Sequence, residues 1–104
     1  MSKYCIVMST FENEDQANVI IEAVLKENLA ACIQTTGISS HYTWNGEICH
    51  DKEILVLFKT PACHYDELKE KIKSMHPYET PEIIKVPIED GLPAYLGWMD
   101  EVTK

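Results

Sequence analysis

Between Ser74 and Ile83 the chain runs Ser-Met-His-Pro-Tyr-Glu-Thr-Pro-Glu-Ile. This stretch gathers the residue types best suited to hold a ligand. A neutral imidazole such as His76 is a common metal ligand and titrates near neutrality. The Met75 thioether beside it suits soft Cu(I), and Tyr78 and Glu79 add a phenol and a carboxylate. Lys59, at the end of a preceding strand, is expected to join them at one end of a sheet. The same residues also describe plain structure. Met75 completes a helical apolar stripe, the prolines stiffen a turn, and Glu79 is simply solvated.

Other constellations are weaker. Cys49-His50 and Cys63-His64 offer four N/S donors, the number that a tetrahedral zinc site needs. Adjacent strand residues point to opposite faces, however, so one such pair cannot turn both donors to one metal without a bulge. Asn45-Gly46 is the strongest short hairpin signal. In ideal register it places Trp44 opposite Glu47, Tyr42 opposite Cys49 and His41 opposite His50. Directly opposed Cβ atoms lie roughly 4.5–5.5 Å apart, close enough for two imidazoles to share a metal. The alternative is two solvated histidines on an exposed ribbon. The sequence holds no glycine-rich phosphate loop, nucleophile elbow or His-Glu-x-x-His motif, so no catalytic residue is assigned.

The elements that must position these residues follow from periodicity. Lys3–Thr10 alternates as a first strand. Asn13, with Gln16 three residues on, caps a helix whose stripe is Ala17, Ile20, Ile21, Val24, Leu25 and Leu29. That helix ends near Asn28. Residues 30–44 and 47–59 form the arms of the hairpin, long against a usual strand of about 5–6 residues. Pro61 is placed to open a second helix carrying Tyr65, Leu68, Ile72 and Met75, with Glu67 and Lys71 spaced for an ion pair. Pro77 ends it and pushes His76 to an extended conformation. Residues 82–88 form an edge strand broken by Pro87, and Pro93 starts a last helix. The order β-α-β-β-α-β-α is that of a split βαβ, ferredoxin-like α+β sandwich with an added C-terminal helix.

Length, charge and composition set the limits. The 104 residues suit one domain over 1–104. The net charge is −8, with nine lysines and no arginine, which argues against nucleic acid and anionic membrane surfaces. The four cysteines show no disulfide framework, and neither a signal peptide nor a membrane span is visible. A cytoplasmic location is expected. A long exposed ribbon invites pairing with other copies of the chain, so a homo-oligomer is expected too.

Read together, Leu29-Ala30-Ala31-Cys32, Tyr42-Thr43-Trp44-Asn45-Gly46-Glu47-Ile48, Asp51-Lys52-Glu53, Phe58-Lys59-Thr60, His76-Pro77-Tyr78-Glu79-Thr80-Pro81-Glu82-Ile83 and Tyr95-Leu96-Gly97-Trp98 resemble the CutA divalent-cation tolerance family across essentially the whole chain. The resemblance implies a homotrimer like that of PII signalling proteins, built through the long hairpins. It also implies binding of copper or another divalent cation, or of a small ligand, in a cleft between subunits, with no established catalysis and no required cofactor. Of the positions where bacterial members hold copper, Ser9 stands for a cysteine and Met75-His76 for a histidine pair. Lys59, Tyr78 and Glu79 are expected to line the pocket. The alternative is a PII-like signalling or scaffold trimer acting through protein contacts at Tyr42 and Trp44.

Overall fold

The computed structural model describes residues 2–104. Its elements are β1 (Tyr4–Phe11), α1 (Glu14–Lys26), β2 (Cys32–Trp44), β3 (Glu47–Pro61), a 3-10 turn (Ala62–His64), α2 (Tyr65–Met75), β4 (Ile83–Ile88) and α3 (Pro93–Val102). The four strands form one antiparallel sheet in the order β2-β3-β1-β4. This is the ferredoxin-like α+β sandwich expected of the element order.

Alternation in β1 decides which face is buried. Cys5, Val7, Ser9 and Phe11 are fully buried. They join Val56, Phe58 and Thr60 of β3, Ile20 and Val24 of α1, and Leu68 and Ile72 of α2. The helices therefore cover one face of the sheet, and their apolar stripes meet the buried strand positions there. On the opposite face, among the described residues, α3 alone packs, at one end. It buries Met99 completely, sets Tyr4 Oη donating to Asp100 at 2.5 Å and places Tyr95 over Lys59. The rest of that face carries Ile84 and Val86, 48% and 39% exposed.

Local chemistry fixes the boundaries. The Asn13 side chain accepts from Gln16 N at 2.9 Å, and Gln16 Oε1 returns the contact to Glu12 N at 3.1 Å. Asn28 takes a left-handed φ of 56° to end α1, as asparagine tolerates. Asn45 and Gly46, at φ 51° and 78°, are the left-handed pair of a type I′ turn. The turn sends out a ribbon whose residues from His41 to Asp51 are exposed apart from half-buried Cys49, and the molecule is drawn out to 45 × 26 × 22 Å.

Two local expectations are corrected. Pro61 does not open α2; it is the last residue of β3, extended at φ −56° and ψ 138°, opposite Tyr4. The ladder needs no N–H there, because Ala62 N donates to Lys3 O instead at 2.7 Å. The Glu67–Lys71 pair does not form either. Lys71 reaches Glu27, which caps the C-terminus of α1, and Glu67 reaches Lys104, each at 2.5 Å.

Candidate functional site

His76 caps α2 in the extended conformation that Pro77 imposes, at φ −72° and ψ 132°. Its imidazole turns back onto β1. Nε2 lies 2.8 Å from the Thr10 carbonyl oxygen, and Nδ1 accepts from Tyr78 N at 3.1 Å. A carbonyl only accepts and a peptide N–H only donates, so the partners dictate the tautomer: hydrogen on Nε2, lone pair on Nδ1. The ring also stacks on Phe11, with centroids 4.4 Å apart and planes at 16°. Burial lowers its pKa, against smaller opposing effects of the Thr10 hydrogen bond and the Glu53 charge. His76 is thus a neutral imidazole with both nitrogens engaged, and it fixes the backbone that carries Tyr78.

Tyr78 in turn donates to Glu53 Oε2 on β3 at 2.7 Å. Burial first, then the hydrogen bond and charge of Glu53, pushes its phenol up, so it remains a donor. Further along the hairpin Tyr42 donates to Asp51, and that contact is the main reason its pKa rises to about 12. Both phenols thereby orient a carboxylate across two elements. Between the hairpin and the 78–82 loop lies a groove of about 1130 Å³. Among the described residues Glu12, Asp51, Glu53, Glu79 and Glu82 line it, with Lys52 the one lysine and His41 at its rim. Burial first, and then the Glu53 charge, raise the pKa of Glu82, the response of a carboxylate desolvated beside a like charge.

The structure brings His76, Tyr78 and Glu79 to this end of the sheet but not Lys59. Tyr78 meets Glu53, whereas Lys59 lies six residues further along β3, roughly 20 Å away at strand rise, with its ammonium 5.9 Å from the Tyr95 ring centroid. Met75 packs against the core. Ser9 is fully buried on β1, between Val56 and Ile83 in register, and its hydroxyl has no hydrogen-bond partner among the described residues. His41 and His50 face each other across the hairpin. Among the described residues no three metal-donor side chains converge. A cation held here would therefore draw its other donors from water or from a second copy. Glu12, Glu53 and Glu82 were not singled out by sequence reasoning. They come from separate elements, and only the alternation of β3, which puts Glu53 on the face opposite Val56, hinted at one of them.

Similarity to known proteins agrees with this architecture. Residues 5–102 match the family model of the CutA1 divalent ion tolerance protein. The chain belongs to the CutA1 family. It is 41% identical over 99 residues to the divalent-cation tolerance protein CutA of Thermus thermophilus, covering 94% of this chain and 96% of that one. The crystal structure of CutA1 from Pyrococcus horikoshii superposes with a TM-score of 0.92 at 38% identity, covering 96% and 98% of the two chains. The protein from Archaeoglobus fulgidus, described as a periplasmic divalent cation tolerance protein, gives 0.94 at 33% identity, covering 97% and 99%. This CutA1 chain has no helix among its described residues long and apolar enough to cross a membrane.

The copper ligands implied by family resemblance do not fit a copper centre as arranged. His76 has no free lone pair without losing the Tyr78 contact, Ser9 presents a hard hydroxyl inside the core, and the Met75 thioether is packed against that core. The groove offers oxygen donors instead, which suit hard divalent cations.

Proposed function

We propose that this CutA1 protein acts in divalent-cation tolerance as a homotrimer that binds a divalent cation, or a small cationic ligand, in the carboxylate-lined groove, with a neighbouring copy closing the site. The observation that carries this reading is the lining itself: five carboxylates against one lysine, two of the carboxylates held by tyrosine hydroxyls. Assembly is supported by what a single chain leaves uncovered. The outer edge of β2 is unpaired along its length, Ile48 at the hairpin tip is 83% exposed, and Ile84 and Val86 lie bare on the sheet. Long flat edges and apolar patches of this kind are normally covered by another chain.

The protein works by binding rather than by catalysis. His76 is committed at both ring nitrogens to holding the loop and is therefore unsuited to shuttling protons. Free cysteines, including half-buried Cys32 and Cys49, suit a reducing, cytoplasmic setting. A second reading, a PII-like scaffold acting through protein contacts, draws on the exposure of Trp44 and Tyr42. Titration calorimetry with Mn(II) separates the two. Binding by wild type that Glu53→Gln weakens supports the cation groove. Equal heats for both proteins, with a protein partner lost on Trp44→Ala, favour the scaffold.

A further inference from the structure

We propose that His41 and His50 form a bidentate site for a borderline transition-metal ion, Cu(II), Ni(II) or Zn(II), on the shaft of the hairpin at the rim of the carboxylate groove, which His41 borders. The type I′ turn sets the register rung by rung: Trp44 pairs with Glu47, Thr43 with Ile48, Tyr42 with Cys49 and His41 with His50. Counting from the hydrogen-bonded closing pair, His41 and His50 occupy a non-hydrogen-bonded rung. That is the closer of the two kinds, with Cα atoms about 4.5 Å apart. No bulge interrupts the ladder between the turn and this rung. The two rings stack with centroids 5.6 Å apart and planes at 28°.

A metal bound through two M–N bonds of about 2.0–2.1 Å brings the centroids to about 5 Å, so small side-chain rotations close the gap. Unlike those of His76, these ring nitrogens carry no hydrogen bond to the described residues and keep a lone pair to give. Tyr42 and Asp51 bond each other on the other face of the ribbon, so they do not compete for the imidazole nitrogens, although His41 borders the same groove as they do. On that face the register places Ser39, Thr43, Ile48 and Lys52 as neighbours. Lys52 is the one charged side chain among them. It disfavours very tight binding but does not occupy the rings. Imidazole nitrogens favour Cu(II), Ni(II) and Zn(II) over Mg(II) or Mn(II), so this pair and the groove select different ions.

The test is Cu(II) titration of the full-length protein by calorimetry and electron paramagnetic resonance, on wild type, His41→Ala, His50→Ala and His76→Ala. Both hairpin positions are exposed in the single chain, so both variants are expected to keep the subunit fold and assembly, which circular dichroism and sedimentation check. Wild type is expected to bind Cu(II) with a spectrum showing two equivalent imidazole nitrogens. Loss of either hairpin histidine removes the chelate and weakens binding roughly 10²-fold, as expected when a linked second ligand is deleted. The His76→Ala protein keeps the wild-type Cu(II) spectrum. Affinities for the hairpin variants within about threefold of wild type, far from that chelate loss, would overturn the proposal. So would a spectrum abolished only by His76→Ala. Repeating the Mn(II) titration on His50→Ala, a position outside the groove lining, leaves the groove reading separately testable, because the two sites prefer different ions.

Discussion

Replacing His76 by alanine removes three things at once: the donation to Thr10 O, the acceptance from Tyr78 N and the stack on Phe11. Each hydrogen bond is worth about 1 kcal/mol net. An aromatic contact of this kind adds about 0.5–1.5 kcal/mol. Thr10 is buried, so its carbonyl is left without ready access to water. The sum is a loss of roughly 2–4 kcal/mol, a large share of the 5–15 kcal/mol typical of a domain. Equilibrium urea denaturation at fixed protein concentration measures it, the fixed concentration being needed because assembly contributes to apparent stability. His76→Gln can place an amide N–H where Nε2 sits and should recover about 1 kcal/mol, one bond's worth. A loss below about 1 kcal/mol for His76→Ala, smaller than two hydrogen bonds can account for, would refute the positioning role. The same ring predicts a pH effect. Burial holds its folded pKa below the ordinary 6.5, so the unfolded chain binds more protons in the interval between the two values, and stability rises with pH there. The contribution is fully present above about pH 6.5 and lost as pH falls through the folded value. It shows as a difference between wild type and His76→Ala.

Ser9→Ala removes a buried hydroxyl that has no partner and should stabilise the protein by about 1 kcal/mol, read as a rise in Tm of about 4 °C; an unchanged or lower Tm would mean that the hydroxyl is satisfied in solution. Gly46→Val forces a β-branched residue into φ 78° and should cost about 1–2 kcal/mol, with amide exchange accelerated along the hairpin and little changed in β1. Val86→Asp puts a charge on the bare sheet face and should shift the sedimentation profile toward single chains, whereas a retained assembly would free that face of any role in it.

The fold was legible because its cues were local. A period of 3.6 in α1 and α2, a period of two in β1 and the Asn45-Gly46 turn left little freedom in element order or hairpin register, and the His41–His50 rung followed by counting. Pro61 misled because proline is at home both at a helix start and at the end of a strand, and only the Ala62–Lys3 bond distinguishes the two. Glu67 and Lys71 had the right spacing for each other but found Lys104 and Glu27 closer, partners that no helical window contains. The site was legible in part. Spacing could flag His76, Tyr78 and Glu79 as a candidate loop. It could not show that the carbonyl of Thr10, far away in sequence, accepts a hydrogen bond from His76 Nε2, or that Tyr78 would meet Glu53 rather than Lys59. Those facts depend on the strand register, which puts Ile83 beside Ser9 and leaves Lys59 with Ile6.

Trimeric cation binding is read out by native mass spectrometry of the protein titrated with Mn(II). A species at three times the 11.9 kDa chain mass is expected to take up Mn(II), and a Glu53→Gln protein of the same assembly mass to take up markedly less. A single chain at micromolar concentration, or a trimer whose Mn(II) uptake ignores Glu53→Gln, would contradict it.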